Sequence, residues 1–424
     1  MRKEQIKHDN YDLIVIGGGA SGMMAAGHAA SLGKSVLLVE KNKTLGEKLK
    51  ITGGGRCNIT NAIYNVREFL ANYGAAAPFL FSPFSQFSVK NTFDFFESLG
   101  LPLVVQARNR AFPQTEKATD VVNALLKHMQ AGKVTIKTNT AVQQILREAK
   151  STENKITGII AGGETYTAKS YLLATGGASH PETGSTGDGF NWLGELGHTV
   201  KPPTPTIVPL ATSDQWSHML SGVSLSFMKI SFYAGTSTKK RFSKLGKILF
   251  THFGLSGPLI LNSSTKVADL LQEGPVTAKI DAYPDTDLGA LNEHLVKIFN
   301  ANKNRELKNV LKDITPEGTA PGIALLLKDI DMETKVHSIT KEQRKKIVDT
   351  LKGLPVTITN LMGYDRAVMA DGGVALSEID TKTMRSKLYS NLFVTGDLLN
   401  IIRPSGGFSL QLCWTTGWVA GANA

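Results

Sequence analysis

The sequence predicts an α/β protein: a Rossmann-like, three-layer dinucleotide-binding domain whose chain is interrupted by a β-rich insertion and a small helical part. Three stretches predict it. Tyr11 to Lys41 reads as strand, glycine turn, helix and strand. Ser170 to Gly177, SYLLATGG, reads as a further buried strand that ends in glycines. Asn391 to Ala424 returns to the same grammar, with a buried strand at Leu392 to Thr395 and a glycine-opened helix from Phe408 to Ala420. The first and last parts of the chain are therefore expected to share one sheet.

In the first stretch, Leu13 to Ile16 is a short apolar run suited to a parallel strand covered on both faces. Gly17, Gly19 and Gly22 form G-x-G-x-x-G. Gly17 permits the tight turn, Gly19 lets backbone approach a pyrophosphate, and Gly22 lets the helix pack close to the strand. Ala20 and Ser21 open a helix whose free N–H groups and dipole favour phosphate. Gly33 ends that helix, Ser35 to Val39 forms the second strand, and Glu40 stands where an acid takes ribose hydroxyls. A Glu there suits an adenosine 2′-hydroxyl rather than a 2′-phosphate.

Lys41 to Asn61 carries Gly53-Gly54-Gly55, then Arg56, Cys57, Asn58 and Thr60. Three successive glycines are poor in helix or strand and suit backbone lying flat on a ligand. Val66 to Gly100 reads as helical and rich in core Phe. Arg110 to Lys117 reads as a polar turn, and Ala118 to Met129 as a helix. Val134 to Ala168 reads as four short strands forming a meander. Gly184 to Gly189 leads into a helix from Phe190 to Leu196. It is not a second dinucleotide fingerprint, since it lacks the preceding strand and the later acid. Proline-rich Lys201 to Pro209 is expected to mark a boundary. Leu210 to Phe250 reads as strands with turns at Gly222, Gly235 and Gly246. Leu249 to Pro258 reads as a loop, Leu259 to Leu271 as helix, Ala278 to Tyr283 as strand, and Leu288 to Val348 as helical.

The chain has 424 residues, a net charge of +11 and only two cysteines, Cys57 and Cys413. No run of about 18 apolar residues occurs, so no membrane span is expected. The charged N-terminus is not that of a signal peptide, and a cytoplasmic protein is expected. The cysteines have neither C-x-x-C spacing nor clustered His, so no dithiol centre, zinc site or other metal site is expected. The basic residues are dispersed without a nucleic-acid-binding motif, so nucleic acid is not the expected partner. A small-molecule substrate is expected. The oligomeric state is not legible.

The N-terminal fingerprint, the internal ATGG and the C-terminal Gly396-Asp397 before a glycine-opened helix resemble the FAD-binding fold of the glutathione reductase superfamily. TGGGRCNITN, AFPQTEKATDVV, LLATGGASHPETGSTGDG, LFTHFGLSGP, VALSEIDTKTMRSK and GDLLNIIRPSGGFSLQ narrow the resemblance. They resemble a bacterial family of NAD(P)/FAD-dependent oxidoreductases, also called aminoacetone-oxidase-family FAD-binding proteins, over about Tyr11 to Gly421. The resemblance implies a FAD domain, residues 1–200 and 371–424, interrupted by a β-barrel-like domain, 201–285 and 354–370, and a helical subdomain, 286–353. It also implies FAD as cofactor, with NADH or NADPH as a transient electron donor. The implied reaction is reduction of an activated C=C or carbonyl-conjugated small molecule. The alternatives are an amine oxidase using dioxygen and a flavoprotein with an RNA-binding or RNA-modifying role. At the last motif the family often has Gly-Glu, then Asp, then Gly-Gly-Tyr-Asn. Here Gly396-Asp397, Asn400 and Gly406-Gly407-Phe408-Ser409 stand in their place.

On this reading Gly17, Gly19, Ala20, Ser21, Gly22, Glu40 and Lys41 bind the adenosine diphosphate end. Gly54, Arg56, Cys57 and Asn58 line the pyrophosphate or flavin side, with Ala174, Thr175 and Gly176 at the same sheet edge. Gly396 and Asp397 serve the ribitol, and Gly407, Phe408 and Ser409 face the flavin pyrimidine, whose reduced form a helix dipole stabilises. Arg403 is a candidate anchor for a carboxylate or carbonyl, or a surface salt bridge. His252 is a candidate general acid, or a structural loop histidine. Cys57 is expected to be an inert buried thiol.

Overall fold

The computed structural model describes residues 11–148, 154–235, 237–367 and 369–424. The charged N-terminal decapeptide lies outside them. The chain forms two compact units, Met1–Pro205 with Met369–Ala424, and Thr206–Val368.

The first unit begins with β1 (Tyr11–Ile16), α1 (Ala20–Ser31) and β2 (Val36–Val39), followed by the short α2 (Glu47–Ile51). Next come β3 (Thr60–Asn61) and three helices, α3 (Val66–Ala71), α4 (Ala77–Gln86) and α5 (Val89–Ser98). Phe69, Phe84, Phe87 and Phe96 of this helical stretch are buried, as a core reading requires. β4 (Leu103–Gln106) and β5 (Arg110–Pro113) follow, then α6 (Ala118–Ala131) and β6 (Thr135–Lys137). β7 (Val142–Arg147), β8 (Ile156–Ala161) and β9 (Glu164–Tyr166) form an antiparallel meander, and β10 (Ala168–Leu173) returns to the main sheet. α7 (Asp188–Glu195) and β11 (Val200–Thr206) complete the first pass.

The second unit contains β12 (Leu210–Thr212), α8 (Gln215–His218), β13 (Ser224–Ala234), β14 (Lys240–Thr251), β15 (Gly254–Ser256), α9 (Pro258–Leu261), α10 (Ser264–Glu273) and β16 (Val276–Asp281). Four helices follow, α11 (Leu288–Ala301), α12 (Leu307–Ile314), α13 (Ala320–Leu326) and α14 (Lys341–Leu351), and then β17 (Leu354–Leu361). Its strands close into a barrel in the order β12-β15-β14-β13-β16-β17. Inward residues such as Ile230, Phe232, Ile248, Phe250 and Ile280 are fully buried, and they share one apolar core with Leu295, Val310 and Ile347 of the helices.

The chain then re-enters the first unit through β18 (Met369–Val374), β19 (Leu392–Val394) and α15 (Phe408–Asn423). The main sheet is parallel, in the order β19-β10-β1-β2-β6, so the two ends of the chain do share it. α1 is buried over Ser21 to Ala30 because it is covered by α6 and α15 as well as by the sheet. A methyl group at Gly417 would lie 2.4 Å from Ser21 O, and one at Gly421 would lie 2.5 Å from Ala25 O. The α1–α15 approach is therefore backbone to backbone.

Several local expectations are corrected. Arg110 to Pro113 is not a polar turn but strand β5, with Ala111, Phe112 and Pro113 buried between β3 and β4. Val134 to Thr138 contributes β6 to the main sheet rather than to the meander. Pro202, Pro203 and Pro205 lie within β11, which pairs with β18 in a two-stranded ribbon. Each strand of such a ribbon has a free edge, where a missing N–H costs nothing. Gly246 is no turn; it lies inside β14, where the pairing with β13 slips beside Phe227. Leu249 to Pro258 is a tight hairpin joining β14 and β15, not an open loop. The predicted helix at Leu259 to Leu271 is two helices, α9 and α10, in the structure.

Where α1 meets α6 and α15, His28 stacks on Trp418 with ring centroids 3.4 Å apart. Its Nδ1 is buried without a hydrogen-bond partner. Burial, then the neighbouring His128 and Lys34, lower the His28 pKa from 6.5 to about 4. The folded state thus binds this proton less readily than the unfolded chain. The stability so gained is full above pH 6.5 and is lost as the pH falls from 6.5 towards 4. At 1.36 kcal/mol per pKa unit the effect is on the order of 2–3 kcal/mol. In urea unfolding, the stability difference between wild type and His28→Phe should change by about that amount across this window. A pH-independent difference would show that His28 does not titrate in this way.

Candidate active site

The C-terminal edge of the main sheet is built first by β1 and α1. Gly17 has φ +105°, and a methyl group there would lie 2.6 Å from Ala174 O. A methyl group at Gly22 would lie 1.9 Å from Gly17 O, so only glycine lets α1 start this close to the strand. At Gly19, by contrast, a methyl group would meet nothing within 4 Å. Gly19 is the N-cap of α1 and no side chain caps it, which leaves the N–H groups of the Ala20–Ser21 turn for a ligand.

Glu40 at the end of β2 is buried, and its two oxygens accept from Gly18 N (2.7 Å) and Asn42 N (2.8 Å). It therefore holds the glycine turn in place. Lys41 is committed elsewhere: its Nζ lies 2.6 Å from Thr186 Oγ1 and 2.8 Å from Asp188 at the start of α7. Gly53, Gly54 and Gly55 all adopt left-handed backbone, with φ of +63°, +68° and +83°. Methyl groups at Gly54 and Gly55 would project into open space, as expected of a strip that takes a flat ligand. The Arg56 guanidinium points away to Glu116 (3.2 Å) and Gln106 (3.2 Å) and stacks over Phe112. Cys57 is fully buried and burial pushes its thiol pKa far up, which makes it inert.

Buried polar atoms left without a partner include Asn58 Oδ1 and Thr175 Oγ1. Thr175 lies between Ala174, whose N–H donates to Ile16 O at 2.9 Å, and Gly176, at φ +73°. Both orphan oxygens belong to segments named from the sequence as cofactor-binding. A buried oxygen without a donor is costly unless a ligand supplies one.

The other wall is the return from β19. Gly396, at φ +63°, sits against Ser21 Oγ and donates its N–H to Thr416 Oγ1 at 3.1 Å. Asp397 lies beside Gly177 and pairs with Arg403 and, at 3.5 Å, with Lys48. Burial opposes ionisation of Asp397, but the charges of Arg403 and Lys48 outweigh it and hold the carboxyl below its usual range. Lys48 Nζ also donates to Ser179 Oγ at 2.7 Å. Asp397, Arg403 and Lys48 together carry one net positive charge.

Arg403 is neither a surface salt bridge nor a free anchor. It is 4% exposed, and besides Asp397 it donates from Nη1 to Ile401 O (2.6 Å) and from Nε to Ser409 Oγ (2.9 Å). The Phe408 ring packs among Phe69 and Tyr73 in the core, and its carbonyl accepts from Tyr73 OH at 2.8 Å. Gly407, at φ +101°, caps α15 and rides on β3, where a methyl group would lie 2.3 Å from the Thr60 carbonyl carbon. Gln411 Oε1 fixes that contact by accepting from Thr60 Oγ1 (2.6 Å) and Thr92 Oγ1 (2.9 Å). His252 lies in the exposed β14–β15 turn of the second unit, its ring edge-on to Phe253.

Sequence reading missed Lys48 as a charge partner, Gln411 as a clamp, and the pair Asn61 and Arg110. Asn61 and Arg110 are direct cross-strand partners in β3 and β5. The buried apolar pair Ala111-Phe112 was the available signal that this segment is a strand.

The family model described as "HI0933-like protein Rossmann domain" matches residues 11–423. The chain belongs to this HI0933-like family. A 3-dehydro-bile acid delta(4,6)-reductase of Clostridium scindens is 30% identical over 417 residues, covering 97% of this chain and 98% of that protein. A ribosomal RNA dihydrouridine synthase of Escherichia coli is 27% identical over 414 residues, covering 97% of each. A 3-ketosteroid delta1-dehydrogenase structure from Sterolibacterium denitrificans superposes with a TM-score of 0.55 at 14% identity, over 98% of this chain and 99% of that one. A flavocytochrome c3 fumarate reductase does so with a TM-score of 0.55 at 16% identity, over 98% and 78%. These two show the shared fold. This HI0933-like protein is an FAD-dependent oxidoreductase. Among its described residues no helix is long and apolar enough to cross a membrane.

Glu40 gives a direct test of the cradle. Glu40→Ala removes the acceptor for Gly18 N and Asn42 N, so FAD per chain in the purified protein, measured after acid release, should fall several-fold. Glu40→Gln, which keeps an acceptor oxygen, should lose less. Full FAD occupancy in Glu40→Ala would refute this placement of the adenosine ribose.

Proposed function

We propose that this flavoprotein uses NADH or NADPH to reduce a carbon–carbon double bond conjugated to a carbonyl group. The observation that supports it best is the net positive charge of Lys48, Asp397 and Arg403 beside the N-terminus of α15. Positive charge there favours the electron-rich, reduced cofactor. FAD suits the donor and acceptor set: the Gly17–Gly22 turn and Glu40 for the adenosine end, Asn58 and Thr175 for otherwise missing donors, and Asp397 for a ribitol hydroxyl. When bound, FAD supplies two-electron hydride chemistry. The chain's own task is to hold it flat on Gly53 to Gly55, to exclude water and to fix charge at its reducible end.

Both curated relatives described above match nearly full length and carry names that denote saturation of an alkene. A 3-oxo delta-4,6 compound and a uracil ring each place that alkene in conjugation with a carbonyl. A small enone is the first reading. A uracil base within RNA is the second, favoured by the Escherichia coli relative and by the net charge of +11.

Cys57 and Cys413 do not provide a thiol relay. Both are buried, unpaired thiols, and burial, with the charge of Asp397 adding to it, pushes Cys413 up to about 12. The electron donor must therefore meet the flavin directly. In an anaerobic titration of the yellow protein, NADH or NADPH should bleach the oxidised-flavin absorbance, and an added enone should restore it. A yellow protein that neither nucleotide bleaches would count against a pyridine-nucleotide-driven reductase.

A further inference from the structure

Arg110 is a half-buried cation for which the described residues supply no counter-charge. It is half-buried in β5, and among the described residues no carboxylate pairs with it or with Arg108. The nearby Glu116 is already taken by Arg56. Burial, then the like charges of Arg108 and Arg56, draw the Arg110 pKa below its usual value, the mark of an uncompensated cation.

Its neighbours form a site rather than a bare surface. Asn61 faces Arg110 directly across the antiparallel ladder, so both side chains lie on one face of the sheet. Asn61 is 6% exposed, and its Nδ2 donates to Gly406 O (3.2 Å) and Arg108 O (3.1 Å). Its Oδ1 is buried and has no partner. A methyl group on Gly406 would lie 3.9 Å from Arg110 Nε and 4.0 Å from Asn61 Nδ2, so both groups border the turn that opens α15. Arg108 and Asn109 hold left-handed backbone, with φ of +62° and +56°. Non-glycine residues keep that conformation only where surrounding structure imposes it.

We propose that Arg110, with Asn61 beside it, binds the carbonyl oxygen of the substrate and holds the negative charge that develops on it. This rests on the conjugated-alkene reading above. When bound, reduced FAD would supply the hydride that the β-carbon accepts, and the alkene electron pair would move towards the carbonyl oxygen held by Arg110, giving the enolate. The enolate oxygen rests on the Arg110 guanidinium, and the α-carbon takes a proton from water. The unpartnered Asn61 Oδ1 accepts an N–H or O–H next to that carbonyl, as an imide or hydroxyenone presents. Arg110 thus takes the role that the sequence alone had offered to Arg403, which the fold has spent on Asp397.

The test uses FAD-loaded protein and pentafluorophenolate, an enolate mimic that is ionised at neutral pH. Binding is read from the flavin spectrum and by calorimetry. Wild type should bind it. Arg110→Ala should bind at least about tenfold more weakly with full FAD occupancy, and Arg110→Lys should fall between. Wild type that does not bind the phenolate would overturn the proposal, as would Arg110→Ala binding it equally well. Arg110→Ala protein purified without FAD would also overturn it, because Arg110 would then serve the cofactor. Dithionite-reduced wild type is mixed in parallel with 2-cyclohexenone, 4-androstene-3,17-dione and uridine-containing RNA. Phenolate binding that depends on Arg110, with no reoxidation by any of the three, would overturn the alkene reading and the enolate role together while leaving the anion site in place.

Discussion

A buried guanidinium has to be paired, and the pairing of Arg403 with the half-buried Asp397 shapes the C-terminal edge of the sheet. Arg403 thereby ties three pieces of chain together. It reaches Asp397 after β19, the Ile401 carbonyl in the following loop, and Ser409 in the first turn of α15. Lys48 brings in the segment after β2, and through Ser179 the segment after β10. Removing one partner of such a pair typically costs about 3–5 kcal/mol, since it strands a charge in the interior. The pair is thus better understood as fixing a geometry than as adding net stability. What it fixes is the mouth of the cradle, with a surplus positive charge.

A second constraint brings α15 to that mouth. Gly417 and Gly421 let it lie against the backbone of α1, and Gly407 lets its first turn rest on β3. Gln411 then locks the register through Thr60 and Thr92. Two segments nearly 400 residues apart in sequence meet in this way at the same sheet edge. The barrel and its helices are a separate compact unit with their own core.

The sequence was most legible where a function is written in consecutive residues. Gly17 to Glu40 announces its strand, turn, helix and acid in order, and each falls where its spacing demands. The ATGG strand and the Gly-Asp strand were equally plain, because parallel strands buried on both faces read as short apolar runs. Legibility failed where tertiary context decides. Arg403 looks like an available cation in sequence, and only the fold shows it buried against Asp397. Arg110 looks like part of a polar turn, because β3 and β5 are short and their pairing spans about fifty residues. Pro202, Pro203 and Pro205 do announce the unit boundary after Pro205, but the two-stranded ribbon they share with β18 has no sequence signature. Gly246 looks like a turn, because a slip in strand pairing and a hairpin both call for glycine.

Lys48, Asp397 and Arg403 are proposed to set net positive charge beside the reducible end of bound FAD. The midpoint potential of the bound flavin tests this most directly, measured anaerobically against free FAD in the same buffer. The bound potential should be more positive than that of free FAD, and it should shift back towards it in Lys48→Gln protein that still holds its cofactor. A bound potential equal to or more negative than that of free FAD would contradict it.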